Sequence, residues 1–224
     1  MDFISEKLTE YISKNSNIEP EILARLNQET HQKILKPRML SGHIQGRFLS
    51  MISKMKSPST ILEIGTYTGY GTLCLSEGLK EDGKIFTIDR NEELLKIQNK
   101  YLEKSGKRDK IIQLTGNDDN AFEFNKRGGV GAISVTANIA PKLCSDFQKF
   151  LLSKSDNEQK EAQRIDKILK PVHSSMFIES NPSPVKYAAK LLNLCSDDVR
   201  LPLVKVTEQT KKTIKETLIS ANLI

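Results

Sequence analysis

The spacing of hydrophobic residues changes once along this chain, near residue 57. Through most of the first 57 residues apolar positions recur at helical spacing, with Leu23, Leu26 and Ile34 near one helical face. After the turn signal Ser57-Pro58-Ser59 the pattern changes to short apolar runs separated by helical segments, and these runs lie at 60–64, 84–89 and 110–115. Strands that alternate with helices of this length predict a parallel sheet with right-handed crossovers.

The second half continues this alternation for one more unit. Residues 131–136 have the pattern of a fourth strand, and after Asn138 only helical patterns follow, at 140–152, 158–177, 184–193 and 207–221. The sequence therefore predicts an α/β fold: a doubly wound (Rossmann-like) parallel sheet of about four strands in the order 3-2-1-4, with N-terminal helices and a C-terminal helical segment.

Composition narrows the class of protein. Hydrophobic residues make up 38% and charged residues 28%, as in a globular protein. No run approaches the roughly 18 apolar residues of a membrane span, and the acidic N-terminus has no apolar signal core, so we expect a cytoplasmic protein without a membrane partner. The net charge of +6 is dispersed and Trp is absent, which argues against nucleic-acid binding. Three distant cysteines suit reduced core thiols and predict no metal site.

Candidate chemistry begins at EIGTYTGY, residues 63–70, where a buried strand runs into glycines and then a helix. Gly65 and Gly69 allow positive φ and close approach of a ligand to the backbone, and a helix start offers free N–H groups. The next strand ends in Asp89, which could accept both hydroxyls of a ribose. These features predict a site for a nucleoside-containing cofactor; the alternative is a glycine turn beside a solvated Asp.

EIGTYTGY resembles the first motif of class I S-adenosylmethionine methyltransferases, in particular the catechol-type, metal-dependent O-methyltransferases. The run KPRMLSGHIQG, residues 36–46, resembles the segment that covers the cofactor in that family, and the resemblance extends over residues 1 to about 112. It implies that Met39 and Ser41 flank the methionine portion of the cofactor. It also implies that Gly65 and Tyr67 line the cofactor and that Asp89 holds the ribose.

Glu63 begins the motif and Gly71 directly follows it. Glu63 could hydrogen-bond the amino group of the cofactor, or it could be a buried structural carboxylate. Gly71 stands where family members commonly have Ser, so a hydroxyl contact to the cofactor carboxylate is expected to be missing.

From about residue 113 the chain resembles another family, the C-terminal half of dihydrodipicolinate synthase, a pyruvate-dependent lyase built on a TIM barrel. The resemblance is carried by three segments: GGVGAISVTANIAPKLCSDF (128–147), FIESNPSPVKYAAKLL (177–192) and RLPLVKVTEQTKKTIKETL (200–218). The chain is thus interpreted as a fusion with its junction near 112. We predict a cofactor-binding domain at 1–138, with a helical lid at 1–57, and a helical C-terminal region at 139–224.

Each half lacks groups that its family's chemistry uses. The lyase family forms a Schiff base on a lysine of an earlier barrel strand that this chain does not have, although Gly116 and Ile133 match positions that line the pyruvate pocket. The remaining lysines considered for that role are Lys110, Lys126 and Lys142, and an exposed lysine is a poor amine nucleophile.

The methyltransferase half lacks the acids that bind its divalent cation, since the corresponding strand end is Thr136-Ala137-Asn138. We therefore expect no divalent metal. Asp118 and Asp119, after the third strand, are the nearest substitutes: two carboxylates could recruit a hard cation, but a solvated helix N-terminus is the favoured interpretation. In the methyltransferase pattern an acid here contacts the adenine ring or lines its pocket, and this resemblance implies that Asp118 binds the cofactor.

The leading hypothesis is an S-adenosylmethionine-binding, O-methyltransferase-like protein that, if active, transfers a methyl group to a small hydroxylated acceptor. His43 is the candidate general base, although a polar residue at a helix start is the plainer interpretation. The alternatives are a pyruvate-dependent lyase fragment without its Schiff-base lysine, and a non-catalytic fusion. An uncovered sheet edge or the C-terminal helices could support self-association.

Overall fold

The computed structural model describes residues 5–224. The chain forms two compact units, one that ends at Leu114 and one that begins at Thr115. This border lies close to the predicted junction, while the predicted division at 138/139 stays a prediction.

In the part of the first unit that the structure describes, residues 5–114, there are five α-helices. They are α1 (Glu6–Asn15), α2 (Glu21–Lys33), α3 (Gly42–Lys56), α4 (Tyr70–Ser76) and α5 (Leu95–Lys104). The hydroxyl of Ser5 caps α1 by accepting the N–H of Leu8 at 3.4 Å. The helix α3 ends at Ser57, which has a left-handed φ of 43° and precedes Pro58. The predicted N-terminal helices are confirmed from residue 5 onward, and residues 1–4 lie outside the described residues.

Three strands form one parallel sheet: β1 (Thr60–Ile64), β2 (Lys84–Asp89) and β3 (Ile111–Thr115). They lie in the order β1-β2-β3, and β1 pairs with β2 from Thr60↔Lys84 to Ile64↔Ile88. This confirms the α/β class and the predicted order of the first three strands.

The helices of the first unit pack on one face of this sheet. Ile61, Ile85 and Ile111 point into a core that contains Leu26 of α2 and Leu102 of α5. Because side chains alternate along a strand, the next residues point to the opposite face. That face is entirely apolar at its centre and carries Leu62, Ile64, Phe86, Ile88, Ile112 and Leu114.

The predicted fourth strand is the main correction to the sheet. Among the described residues, segment 131–136 makes one isolated parallel bridge, Ala132 with Thr115, so it lies beside the end of β3 and not beside β1. Its later residues turn into a 3-10 helix at Thr136–Asn138. The reason is local: the carboxylate of Asp118 accepts the N–H groups of Val135 and Thr136, at 2.8 and 3.2 Å, which are then not available for a strand ladder.

The second unit is helical, as predicted. Its helices are α6 (Ala121–Lys126), α7 (Pro141–Leu151), α8 (Asp156–Ser175), α9 (Ser183–Leu191) and α10 (Glu208–Ser220). Phe147 and Leu169 belong to a core between α6, α7 and α8, and Ala188 and Ile214 belong to a second core formed by α8, α9 and α10. Across residues 5–224 no helix has the length and apolar character needed to cross a bilayer.

Candidate functional site

The turn that follows β1 has a left-handed backbone at three positions. The φ angles are +96° at Gly65, 49° at Tyr67 and +89° at Gly69. Gly65 donates its N–H to the carbonyl of Ile88 at 2.8 Å, which anchors the turn to the end of β2. A Cβ at Gly65 would meet no atom within 4 Å, so the backbone angle, and not lack of space, calls for glycine there.

Asp89 ends β2 beside this turn. Its Oδ2 accepts the N–H of Tyr67 at 2.7 Å, and its Oδ1 accepts the N–H of Asn91 at 3.0 Å. The structure therefore brings together the two features that the sequence pattern paired, the glycine turn and the acid at the neighbouring strand tip.

Tyr67 connects the turn to three other segments. Besides its N–H bond to Asp89, its carbonyl accepts from Nε2 of Gln98 on α5 at 2.6 Å. Its hydroxyl lies 3.2 Å from the carbonyl oxygens of Leu35 and Lys36 and donates to this pair. The segment predicted to cover the cofactor is thus tied directly to the glycine turn.

A cleft of about 300 Å³ opens between this segment, β1 and α4. Five of the predicted cofactor-binding residues line it, and they are Met39, Ser41, Glu63, Gly65 and Tyr67. Asp89 is not among the lining residues; it lies next to the cleft, bonded to Tyr67, which does line it. Gly69 does not line the cleft either; it precedes α4, where its carbonyl accepts the N–H of Leu73 at 3.0 Å. His43 also lies outside the lining, and its Nδ1 is buried without a hydrogen-bond partner among the described residues.

A buried polar network lies under the cleft. Oε2 of Glu63 accepts the hydroxyls of Thr72 at 2.5 Å and Thr87 at 2.6 Å, and the hydroxyls of Thr66 and Thr87 are 2.6 Å apart. Burial raises the pKa of Glu63, and the two threonine bonds oppose that rise. The sequence motif predicted Glu63 but not its threonine partners. A polar residue on the same strand face as buried Ile85, Thr87, was the sequence feature that could have indicated a buried polar network.

Gly71 lies against the same network. A Cβ there would stand 3.1 Å from Oε1 of Glu63 and 3.6 Å from the hydroxyl of Ser41. Glu63 would have to shift by a few tenths of an ångström to admit any side chain. The departure from Ser at this position therefore fits the local packing of this chain.

Asp118 lies in the second unit, where it is buried. Its Oδ1 accepts the hydroxyl of Ser134, and Oδ2 accepts the two backbone N–H groups described above. His173 is 3.9 Å away and shares a 2.7 Å hydrogen bond with Thr136. Asp118 thus holds the turn at 134–136, and its predicted contact with a cofactor stays a prediction.

The donor set for a divalent cation does not fit. Among residues 5–224 no group of three or more His, Cys, Asp or Glu side chains could hold a metal ion. The strand end at which the family places its acids is here the 3-10 helix Thr136–Asn138, which carries no carboxylate. The described residues at this strand end therefore provide no ligand set for a divalent cation.

The lysines considered for a Schiff base are engaged elsewhere. Nζ of Lys110 donates to the carbonyl of Glu81 at 2.7 Å, Nζ of Lys142 pairs with Asp146 at 2.5 Å, and Nζ of Lys126 lies 4.2 Å from the ring centre of Phe122. None of the three is a desolvated amine of the kind that forms imines.

Two family models match the chain, each over more than half of its length. Residues 12–131 match the O-methyltransferase family, and residues 86–221 match the dihydrodipicolinate synthetase family. The chain belongs to both families. The two resemblances predicted from the sequence are confirmed. The shared stretch 86–131 contains the end of β2, all of α5 and all of β3, a strand–helix–strand arrangement of the kind that builds parallel sheets in general.

Curated relatives cover the second half. The chain is 73% identical over 114 residues to 4-hydroxy-tetrahydrodipicolinate synthase of Pelagibacter ubique, a match that covers 51% of this chain and 39% of the relative. It is 46% identical over 114 residues to the enzyme of the same name from Parvibaculum lavamentivorans, covering 51% of this chain and 38% of the relative. The chain thus spans about two fifths of the length of these relatives.

A solved structure gives a likeness at the level of fold. The dihydrodipicolinate synthase of Thermotoga maritima aligns with a TM-score of 0.56 and 20% identity, covering 95% of this chain and 84% of that chain. The alignment extends over residues that belong by sequence to the O-methyltransferase family.

Proposed function

We propose that the first unit binds S-adenosylmethionine in the cleft beside the glycine turn and that the chain is an O-methyltransferase-like protein acting on a small hydroxylated acceptor. The observation that carries the proposal is the 2.7 Å hydrogen bond between Asp89 and the N–H of Tyr67. It holds a carboxylate at a strand tip next to a glycine turn, as recognition of a ribose requires. Membership in the O-methyltransferase family supplies the identity of the cofactor.

The residues present fit such a group. The two oxygens of Asp89 would accept the ribose hydroxyls, each oxygen being oriented already by one backbone N–H. Gly65 leaves open space where a side chain would stand. Met39 and Ser41, on the segment tied down by the Tyr67 hydroxyl, would flank the methionine portion. A cleft of about 300 Å³ is at the lower end of ordinary small-molecule sites.

The cofactor, when bound, supplies an electrophilic methyl carbon. This chain's residues would contribute by binding and orienting it for in-line attack by an acceptor oxygen. Proton removal from the acceptor has no assigned residue, since His43 is outside the cleft lining and the metal donor set does not fit. The residues of the cleft therefore account for binding and orientation of the cofactor.

Calorimetry with S-adenosylhomocysteine tests the binding. The natural chain should give saturable heat, and Asp89→Ala should weaken binding by about 10- to 100-fold, because two hydrogen bonds to a charged acceptor are lost. Asp82→Ala, at an exposed acid before β2, is the matched control and should bind as the natural chain does. Absence of heat from the natural chain, or unchanged affinity of Asp89→Ala in a protein that melts cooperatively, would overturn the proposal.

The 73% sequence identity of the second half to a 4-hydroxy-tetrahydrodipicolinate synthase favours one other candidate function, that of a pyruvate-dependent lyase. The environments of Lys110, Lys126 and Lys142 argue against it. Borohydride reduction in the presence of pyruvate should leave the protein unlabelled, with a full-length dihydrodipicolinate synthase as positive control. A labelled lysine, located by mass spectrometry, would reverse this ranking. A non-catalytic fusion with incompletely folded halves predicts non-cooperative melting and no binding of either ligand.

A further inference from the structure

One strand of the first unit combines an unpaired edge with an exposed apolar face. Among the described residues β1 pairs with β2 alone, so the backbone groups along its other edge have no strand partner. On the face away from the helices Leu62 is 64% exposed and Ile64 is 82% exposed. An unprotected edge of this kind is a template for pairing with another strand.

The surroundings of this edge are apolar too. Leu62 lines the cleft together with Leu49 of α3. One turn further along that helix Ile52 is 40% exposed. Leu62, Ile64 and Ile52 are thus exposed apolar side chains next to the edge, and contiguous exposed apolar surface marks interaction sites on soluble proteins. A partner must therefore offer both a strand and an apolar surface.

The exposed face of β1 is uncharged, and this bears on which kind of partner fits it. The single charged side chain of β1 is Glu63, and it points to the helix side, where Thr72 and Thr87 donate to it. The exposed face of β1, formed by Thr60, Leu62 and Ile64, presents no charge that would attract an acidic or basic partner. An identical apolar face and edge are available on a second copy of the same chain.

We propose that two copies of this chain associate through β1, paired antiparallel about a two-fold axis at Leu62. In this register Leu62 faces its own counterpart, and Ile64 faces Thr60 of the other copy on the same side of the sheet. Glu63 then faces Ile61 of the other copy, so no like charges oppose each other. The two three-stranded sheets become one six-stranded sheet, an isologous contact of the kind that closes a dimer. The inference rests on the edge and face of β1 and not on the proposed cofactor, although Leu62 and Ile64 also line the cleft.

Sedimentation velocity over a range of protein concentrations tests the association. The natural chain should sediment at twice its monomer mass. Leu62→Lys should weaken the dimer at least tenfold, because it sets two ammonium groups against each other across the axis. Ile18→Lys is the matched control, at an apolar position that is 91% exposed elsewhere, and it should remain dimeric. Met55→Lys, at a 78% exposed position of α3, tests the groove between α1 and α3 as the interface and should also remain dimeric.

Cross-linking tests the register. In a Cys195→Ser background, which removes the exposed thiol, Leu62→Cys should form an intermolecular disulfide under mild oxidation, because the two-fold axis sets this residue opposite itself. Ile64→Cys should not, since it faces Thr60. A monomeric natural chain, a dimer that Leu62→Lys leaves intact, or cross-linking through Ile64→Cys in preference to Leu62→Cys would each overturn the inference.

Discussion

The packing of α3 against α4 depends on one ion pair whose strength can be measured by pH. Arg47 of α3 contacts Glu77, directly after α4, at 2.6 Å, and their side chains are 11% and 24% exposed. The hydroxyl of Ser50 donates to the same carboxylate at 2.6 Å, and Nζ of Lys54 lies 3.0 Å away. Burial by itself raises the pKa of Glu77, but the bonds from Arg47, Ser50 and Lys54 outweigh it and lower the pKa from 4.5 to about 2.

That fall in pKa sets the size of the expected effect. A lowering from 4.5 to about 2 is worth about 3 kcal/mol of stability, and solvent screening of the partly exposed carboxylate reduces it to roughly 2 kcal/mol. Because the pKa is lower in the folded state, this stabilisation is complete above about pH 5 and is lost as the pH falls toward 2. Glu77→Gln should remove it at neutral pH and leave Arg47 without its carboxylate, a total cost of about 2–3 kcal/mol.

Urea unfolding followed by tyrosine fluorescence is the assay, since four of the five tyrosines lie in the first unit. Between pH 7 and pH 3.5 the natural chain should lose more stability than Glu77→Gln does, so that the two converge in acid. Glu10→Gln is the matched control, because the Glu10–Lys14 pair is 66% and 71% exposed and should contribute about 0.5 kcal/mol or less. If Glu77→Gln were as sensitive to acid as the natural chain, the argument from the buried pair would fail.

Three further predictions concern packing, thiol reactivity and the turn in the second unit. Gly78→Ala places a Cβ 2.1 Å from the carbonyl carbon of Ser53, so α3 and the segment after α4 must move apart. We expect the free energy of unfolding in urea to fall by about 3 kcal/mol. A fall of less than about 1 kcal/mol would contradict the close approach of the two segments. Titration of the native chain with an aromatic disulfide at pH 8 should modify Cys195 alone, because it is exposed, whereas burial raises the pKa of the other two thiols, Cys74 and Cys144, to about 11; rapid modification of all three would show that the cores open. Asp118→Asn should destabilise the second unit by about 2 kcal/mol in urea unfolding followed by far-UV circular dichroism, since it weakens bonds to two backbone N–H groups and a hydroxyl. Exposed Asp119→Asn should change stability by less than about 0.5 kcal/mol.

Hydrophobic periodicity predicted the elements of the first unit because their periods are unambiguous. The run TILEI pairs in register with KIFTID, and each is bounded by turn residues. The same rule was wrong for residues 131–136, which have the apolar content of a strand. The hydropathy pattern cannot show the effect of Asp118, which is 17 and 18 residues before Val135 and Thr136 and whose carboxylate accepts the N–H groups that a strand would need.

The candidate site also has one part that the sequence predicted and one part that it did not. Its outline was predictable, because parallel strands end at one edge of the sheet and so bring Asp89 to the glycine turn. The threonines beneath the cleft were not, because a hydropathy pattern scores Thr66, Thr72 and Thr87 as polar positions and cannot show that their hydroxyls are paired. The role of Tyr67 as the junction of three segments also depends on tertiary contacts that sequence spacing does not encode.

The two family matches overlap at 86–131, yet the proposed cofactor site does not depend on where one family ends and the other begins. The cleft lining runs from Met39 to Leu75, and the supporting contacts come from Asp89 and Gln98. All of these residues belong to the unit that ends at Leu114. The proposed binding therefore requires no residue of the second unit. Among residues 5–224 no strand pairs with the other edge of β1, and the exposed Leu62 and Ile64 follow physically from that open edge.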